Sequence, residues 1–236
     1  MTDIRIGYDD LSRHMYVVGA SGTGKTTLTR LIAKGLEEAS REYRSAFIYL
    51  EPKGDDSFKF LAQVDSLDAD RVTFLDPVLT KFSVNPLELP NYTSQEERLV
   101  SVYTGFLMQV IQEWYGAEPS RTPSMLRIIR SFISYLYHKH DAPTLVDFYD
   151  LVVRMQKGVD PTLLKDIEET LGSEEAELMK KEMTAITEMR EESFDPVLTR
   201  LAEFATDPFL RRIFSISRST EDFAELLEPG HGGRIA

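Results

Sequence analysis

The chain has 236 residues, 42% of them hydrophobic and 28% charged, with a formal net charge of −12 and no cysteine. That length suits one large domain or a core with a helical insertion, and the composition is that of a globular chain, not a disordered one. So large a surplus of acids excludes coating of nucleic acid or anionic lipid by the whole surface, though it leaves room for a local basic patch. The lack of cysteine excludes disulfides and thiolate metal sites and fits a reducing cytoplasm.

No apolar run approaches the roughly 18 residues needed to cross a bilayer, and the first residues lack the basic and apolar regions of a signal peptide. In chain order, "MYVVG" (Met15–Gly19) reads as a compact strand. Residues 25–38 then place Leu28, Leu31, Ile32 and Leu36 at helical spacing. "SAFIYLEPKG" reads as a second strand stopped by Pro52 and Gly54, followed by a short helix around Phe58 to Val64. "RVTFLDP" reads as a third strand. Nearly continuous apolar strands alternating with helices predict a parallel sheet covered on both faces, an α/β core over residues 1–90.

From 91 to 227 the pattern turns helical. Residues 95–115 carry Leu99, Tyr103, Phe106, Val110 and Trp114 on one face, and 124–138 repeat the spacing with Leu126, Ile129, Ile133 and Tyr137. Thr144 is placed as an N-cap before Leu145, Phe148, Val152 and Met155. Asp-Pro pairs at 160–161, 195–196 and 207–208 predict helix starts with aspartate caps and proline at the first helical position. The charged stretch 173–192 reads either as a solvated or partner-facing helix or as a disordered linker. His138 and His140 are two apart, so on a helix they diverge and cannot jointly hold zinc. Residues 228–236 read as a glycine- and proline-rich turn and the opening of a further strand, as if the sequence stops inside a longer domain.

Gly19, Ala20, Ser21, Gly22, Thr23, Gly24, Lys25 and Thr26 satisfy G-x-x-x-x-G-K-[ST], the Walker A pattern, between a predicted strand and a predicted helix; Thr27 follows in the first turn. Gly19, Gly22 and Gly24 let successive N–H groups turn inward around an anion, and the helix beginning near Lys25 adds its positive end. Lys25 is expected to reach the β- and γ-phosphates and Thr26 to ligate Mg²⁺, so the expected ligand is Mg-ATP. A glycine-rich turn beside a surface lysine is the plain alternative. Turnover needs a strand-end acid as well. Glu51 and Asp76 are the candidates, and either acid could equally well just terminate its strand ahead of a proline.

The order "RHMYVVGASGTGKTTL", "FIYLEPKGDD", "RVTFLDP" and "FSVNPLELP" resembles the HerA/FtsK superfamily of P-loop ATPases, nearest to the DNA-translocating ATPases of conjugation and type IV secretion and to HerA-like helicases. Glu51, Pro52, Lys53 and Gly54 match an Asp-Pro-Lys-Gly-like motif with glutamate for aspartate, and Asn85, Pro86 and Leu87 match an Asn-Pro-Leu segment. "VLTRLAEFATDPFLRRIF" and "STEDFAELLEPG" are similar to the helical segment preceding the Walker B strand. The resemblance implies a RecA-like core with a large all-helical insertion, ATP and Mg²⁺ as cofactors, a homo-hexamer, and DNA as partner. It also implies a cytoplasmic motor that can lie peripheral to a membrane secretion or conjugation complex, with Lys25 and Glu51 as catalytic candidates. No Walker B pair is recognisable. "RTPSMLRIIR", with Arg121, Arg127 and Arg130, is the densest basic stretch and a candidate DNA contact, against a solvated helix face. Arg211 and Arg212 read as a surface pair or as an arginine finger. The rival functions are a P-loop small-molecule kinase and an ATP-binding assembly module without turnover.

Overall fold

The computed structural model describes residues 7, 10, 14–43, 46–51, 55–64, 71–89, 101–106, 108–109, 123–222 and 225–226. It is 64% helical with 1% strand and no sheet, which corrects the expected α/β, RecA-like parallel-sheet core. Among the described residues, the segments that read as strands carry no ladder, and only Phe47 and Val72 are bridge residues. Apolar sequence alone does not make a strand, because its stability comes from paired neighbours and cross-strand side-chain contacts. Here the would-be strand residues stay open to solvent, with Tyr16 90%, Val18 75% and Leu50 87% exposed. Pro52, Lys53, Gly54, Leu99, Val110, Trp114, Arg121 and residues 228–236 lie outside the described residues.

The chain divides into two compact units, one formed by Met1–Lys81 with Glu221–Ala236, the other by Phe82–Thr220. In the first, helix α1 (Lys25–Tyr43) and helix α2 (Asp55–Leu61) surround a small core. Ala33 and Phe60 are buried there, with Phe47, Tyr49, Val64 and Val72 packed against them. The Phe60 ring stacks on Tyr49 at 5.2 Å. The expected stripe of Leu28, Leu31, Ile32 and Leu36 is not the buried face of α1: Leu28 and Leu31 are exposed and Ile32 and Leu36 only partly covered, while Ala33, Glu37 and Ser40 are buried. With no sheet beneath the helix, the leucines have nothing to cover. Polar ties hold this unit instead. Asp56 accepts hydrogen bonds from Arg30 at 2.8 Å and Tyr49 at 2.7 Å, and Arg71 reaches Ser40. Burial, reinforced by Asp56, pushes the Tyr49 hydroxyl up to about 12.

The second unit is a helical bundle. It contains α3 (Pro123–Lys139), α4 (Leu145–Gln156), α5 (Pro161–Thr170), α6 (Ser173–Thr187), a 3₁₀ turn (Glu191–Ser193), α7 (Asp195–Thr206) and α8 (Pro208–Phe214). Its continuous core runs from Leu87 through Ile129, Ile133, Phe148 and Met155 to Phe194 and Val197. Local signals start these helices as expected in three of four cases. Thr144 forms a reciprocal capping box with Asp147, and Asp160 and Asp207 cap α5 and α8 ahead of their prolines. Asp195 departs from the pattern, because it is itself helical and Phe194 precedes it as a cap without a side-chain bond.

The charged stretch at 173–192 is a helix whose partner lies within the chain. Ala176, Met183 and Ile186 of α6 are buried, Lys180 pairs with Glu168 of α5, and Glu182 takes both Arg127 Nε and Nη2 at 2.7 Å. Three apolar residues at 176, 183 and 186 suffice to seat it, and the remaining charges face outward or pair with neighbours.

The two ends of this unit are stitched together. Thr220 donates its N–H to the Ser83 carbonyl at 3.0 Å, Ser83 donates to Thr220 Oγ1 at 2.8 Å, and Val84 donates to the Ile213 carbonyl at 3.0 Å. Asn85, 4% exposed, is the hub. Its Nδ2 donates to the carbonyls of Pro143 at 3.0 Å and Ser217 at 2.8 Å, while Oδ1 accepts from the Leu87 N–H at 3.0 Å. Tyr137 completes the region by donating to the Leu87 carbonyl at 2.8 Å, and burial raises its ionisation well above that of a free tyrosine.

Candidate functional site

The glycine loop is built by residues adjacent in sequence, so its geometry follows from local rules. Gly22 and Gly24 adopt φ of 79° and 86°, in the left-handed region where an L side chain is strained. A Cβ at either position meets nothing within 4 Å, so the requirement for glycine there is conformational and the space before the loop is open. Gly19 is required for a different reason. A Cβ there would lie 2.5 Å from Thr23 Oγ1, which is tied to the Ala20 carbonyl at 2.8 Å.

Helix α1 begins at Lys25, and the Leu28 N–H is the donor that closes back onto Gly24 at 2.9 Å. The N–H groups of Lys25, Thr26 and Thr27 therefore have no acceptor within the helix, and they stand at its positive end. The Lys25 side chain folds back over the loop, with Nζ 2.7 Å from both the Gly19 and the Ala20 carbonyl. An ammonium group, three first-turn amides and a left-handed glycine turn thus lie together in one short exposed loop. Ser21 and the Thr26 and Thr27 positions are exposed beside it, and Lys25 is partly covered. This donor set is cationic and rich in N–H, which suits a triphosphate. The Thr26 hydroxyl supplies the hard oxygen that Mg²⁺ prefers.

The two acids differ. Asp76 is committed to a turn: its Oδ1 accepts the N–H groups of Val78 and Leu79 at 2.7 and 2.8 Å, and Thr80 bonds its backbone. It terminates its segment, as an acid before proline commonly does. Glu51 is half-buried in the same unit and close enough to Tyr49 to raise its ionisation slightly.

The other sequence candidates fall in the helical unit. Arg127 is neutralised by Glu182, which holds it in the two-point geometry favoured by guanidinium and carboxylate and is itself kept below the usual carboxylate range by that pairing. Arg211 donates to the Ala205 carbonyl at 2.8 Å, and Arg212 lies over the Phe209 ring at 5.5 Å. Asn85 and Leu87 sit in the bundle's stitched end. The sequence reading missed Asn85's two carbonyl partners, which lie 58 and 132 residues away. Among the described residues no group of three or more His, Asp or Glu side chains could hold a metal, and no helix is long and apolar enough to cross a membrane. No protein-family model, no curated protein and no solved structure matches the chain.

Proposed function

We propose that this chain binds a nucleoside triphosphate with Mg²⁺ through Gly19–Thr26, and that it is the ATP-binding part of a DNA-translocating ATPase. The observation that carries the nucleotide reading is the Lys25 ammonium, held 2.7 Å from two loop carbonyls at the start of a helix and bordered by glycines at φ 79° and 86°. In this reading the α1 amides and Lys25 hold the β- and γ-phosphates, and Thr26 holds the metal. Bound Mg²⁺ would supply charge neutralisation on the phosphates. Glu51 is the acid available to orient water. Translocation rests on the order of the glycine loop, the Glu51–Gly54 motif and Asn85–Leu87.

Calorimetry with Mg-ATP tests the loop, with heat expected from the native chain and none from Lys25→Ala. Turnover of ATP with and without duplex DNA tests the coupling. Stimulation by DNA supports the motor, whereas turnover that depends on a small phosphate acceptor and ignores DNA replaces it with a kinase. Binding without any turnover leaves the assembly module.

A further inference from the structure

A second polar cavity lies within the helical unit, independent of the glycine loop. It is a cleft of 420 Å³, open to solvent, between the helical residues 101–106, α3 and the first turn of α6, and among its lining residues are Ser101, Thr104, Arg130, Ser134, His138 and Glu175. That volume is in the range of small-molecule sites. Arg130, Ser134 and His138 are spaced i, i+4, i+8 on α3, so a hydroxyl sits about 6 Å along the helix from a cationic or cation-capable group on either side. Neither Arg130 nor His138 has an ion pair or hydrogen bond among the described residues. Across from them, Thr104 is 4% exposed, and its Oγ1, itself shut off from solvent, has no hydrogen-bond partner among the described residues.

We infer that this cavity binds a small oxyanion that also carries hydroxyl groups. Arg130 takes the phosphate or carboxylate, and Ser134 and Glu175 take the hydroxyls. A nucleic-acid backbone fits less well. Polymer binding needs a track of cations, and the neighbouring Arg127 is already closed by Glu182 on a chain of net charge −12.

The test is NMR on the full chain carrying Lys25→Ala, so that the glycine loop is silent, following the amides of Thr104 and Ser134. Ribose 5-phosphate and citrate are the two probes and tell ester from carboxylate. We expect a saturable shift with at least one, weakened about tenfold or more by Arg130→Gln, an exposed position whose loss does not threaten folding. Ser134→Ala, which removes a lining hydroxyl at a partly exposed position, should weaken binding severalfold. Non-saturating shifts matched by sodium chloride at equal ionic strength would overturn the inference. So would a duplex DNA oligonucleotide saturating these amides more tightly than either probe, or a Ser134→Ala chain that binds both probes as the parent does.

Discussion

Asn85→Ala is the sharpest test of how the helical unit is held together. The substitution removes three hydrogen bonds from a side chain that is 4% exposed, and it leaves the carbonyls of Pro143 and Ser217 and the N–H of Leu87 to find other partners. Each bond contributes about 1 kcal/mol net, and each buried group left unsatisfied costs a further share of its desolvation, so the loss should be about 3–5 kcal/mol. Against a total of about 5–15 kcal/mol for a domain, that is a large fraction, and it corresponds to a melting temperature lower by about 10–15 °C. Urea unfolding followed by helical circular dichroism measures it directly. Asn85→Asp sharpens the logic. It keeps the size and the acceptor toward Leu87, yet it turns a carboxylate oxygen toward two carbonyls. Its folded ionisation would be raised, so the damage should be full at neutral pH and shrink as pH falls through that raised value, with the recovery complete by about pH 4, where the acid is protonated and can donate. An Asn85→Ala loss under 1 kcal/mol, or an aspartate variant milder than alanine at pH 7, would refute the idea that this amide ties the unit's ends together.

Gly22→Ala should abolish Mg-ATP binding in calorimetry although its Cβ meets no atom, because the cost is conformational; retention of affinity would mean the left-handed turn is dispensable. Gly19→Ala should weaken binding as well, and Thr23→Ala in the same chain should restore part of it by removing the atom 2.5 Å away. Pairing with Arg127 and Ser131 holds Glu182 below its ordinary value, so its contribution is present above that value and lost as pH falls through the depressed one. The gap in stability between the native chain and Glu182→Gln should therefore be about 0.5–1 kcal/mol at pH 7 and close in acid; a gap that persists at pH 3 counts against the ion pair. Hydrogen exchange should be faster in α1 and α2 than in α3, α4 and α7, since the first unit buries a few residues around Ala33 and Phe60 while the second has a continuous core. Equal protection in both units would contradict that ranking.

What could be read from sequence divides by distance along the chain. Thr144, Asp160 and Asp207 start helices as their spacing predicts, because a cap and the amides it satisfies lie within three residues. The backbone freedom asked of Gly22 and Gly24 and the helix start at Lys25 are legible for the same reason. The sheet was not. An apolar run such as "MYVVG" states that a segment is hydrophobic, but a ladder depends on a second segment, and here that pairing is confined to Phe47 and Val72. The charged run at 173–192 was ambiguous because three buried positions, Ala176, Met183 and Ile186, give a weak periodic signal among many charges. The oxyanion cavity is half legible. Arg130, Ser134 and His138 share a face by spacing alone, whereas Thr104 and Glu175 arrive from distant parts of the chain.

The position of Lys25 bears on how the loop would engage a nucleotide. Its ammonium donates to the Gly19 and Ala20 carbonyls, so these groups must part if the lysine is to swing toward a phosphate. Both bonds lie at an exposed site, where water replaces them at little net cost. The gain on the other side is a charge-assisted contact with a multiply charged anion, roughly twice as strong as a neutral hydrogen bond. The resting contacts are therefore too weak to act as a lock. Their effect is to hold a flexible four-carbon stem near the loop, so that less rotamer freedom remains to be lost on binding. A lysine kept close and loosely held is the arrangement expected of a site that must both take up and release its phosphates.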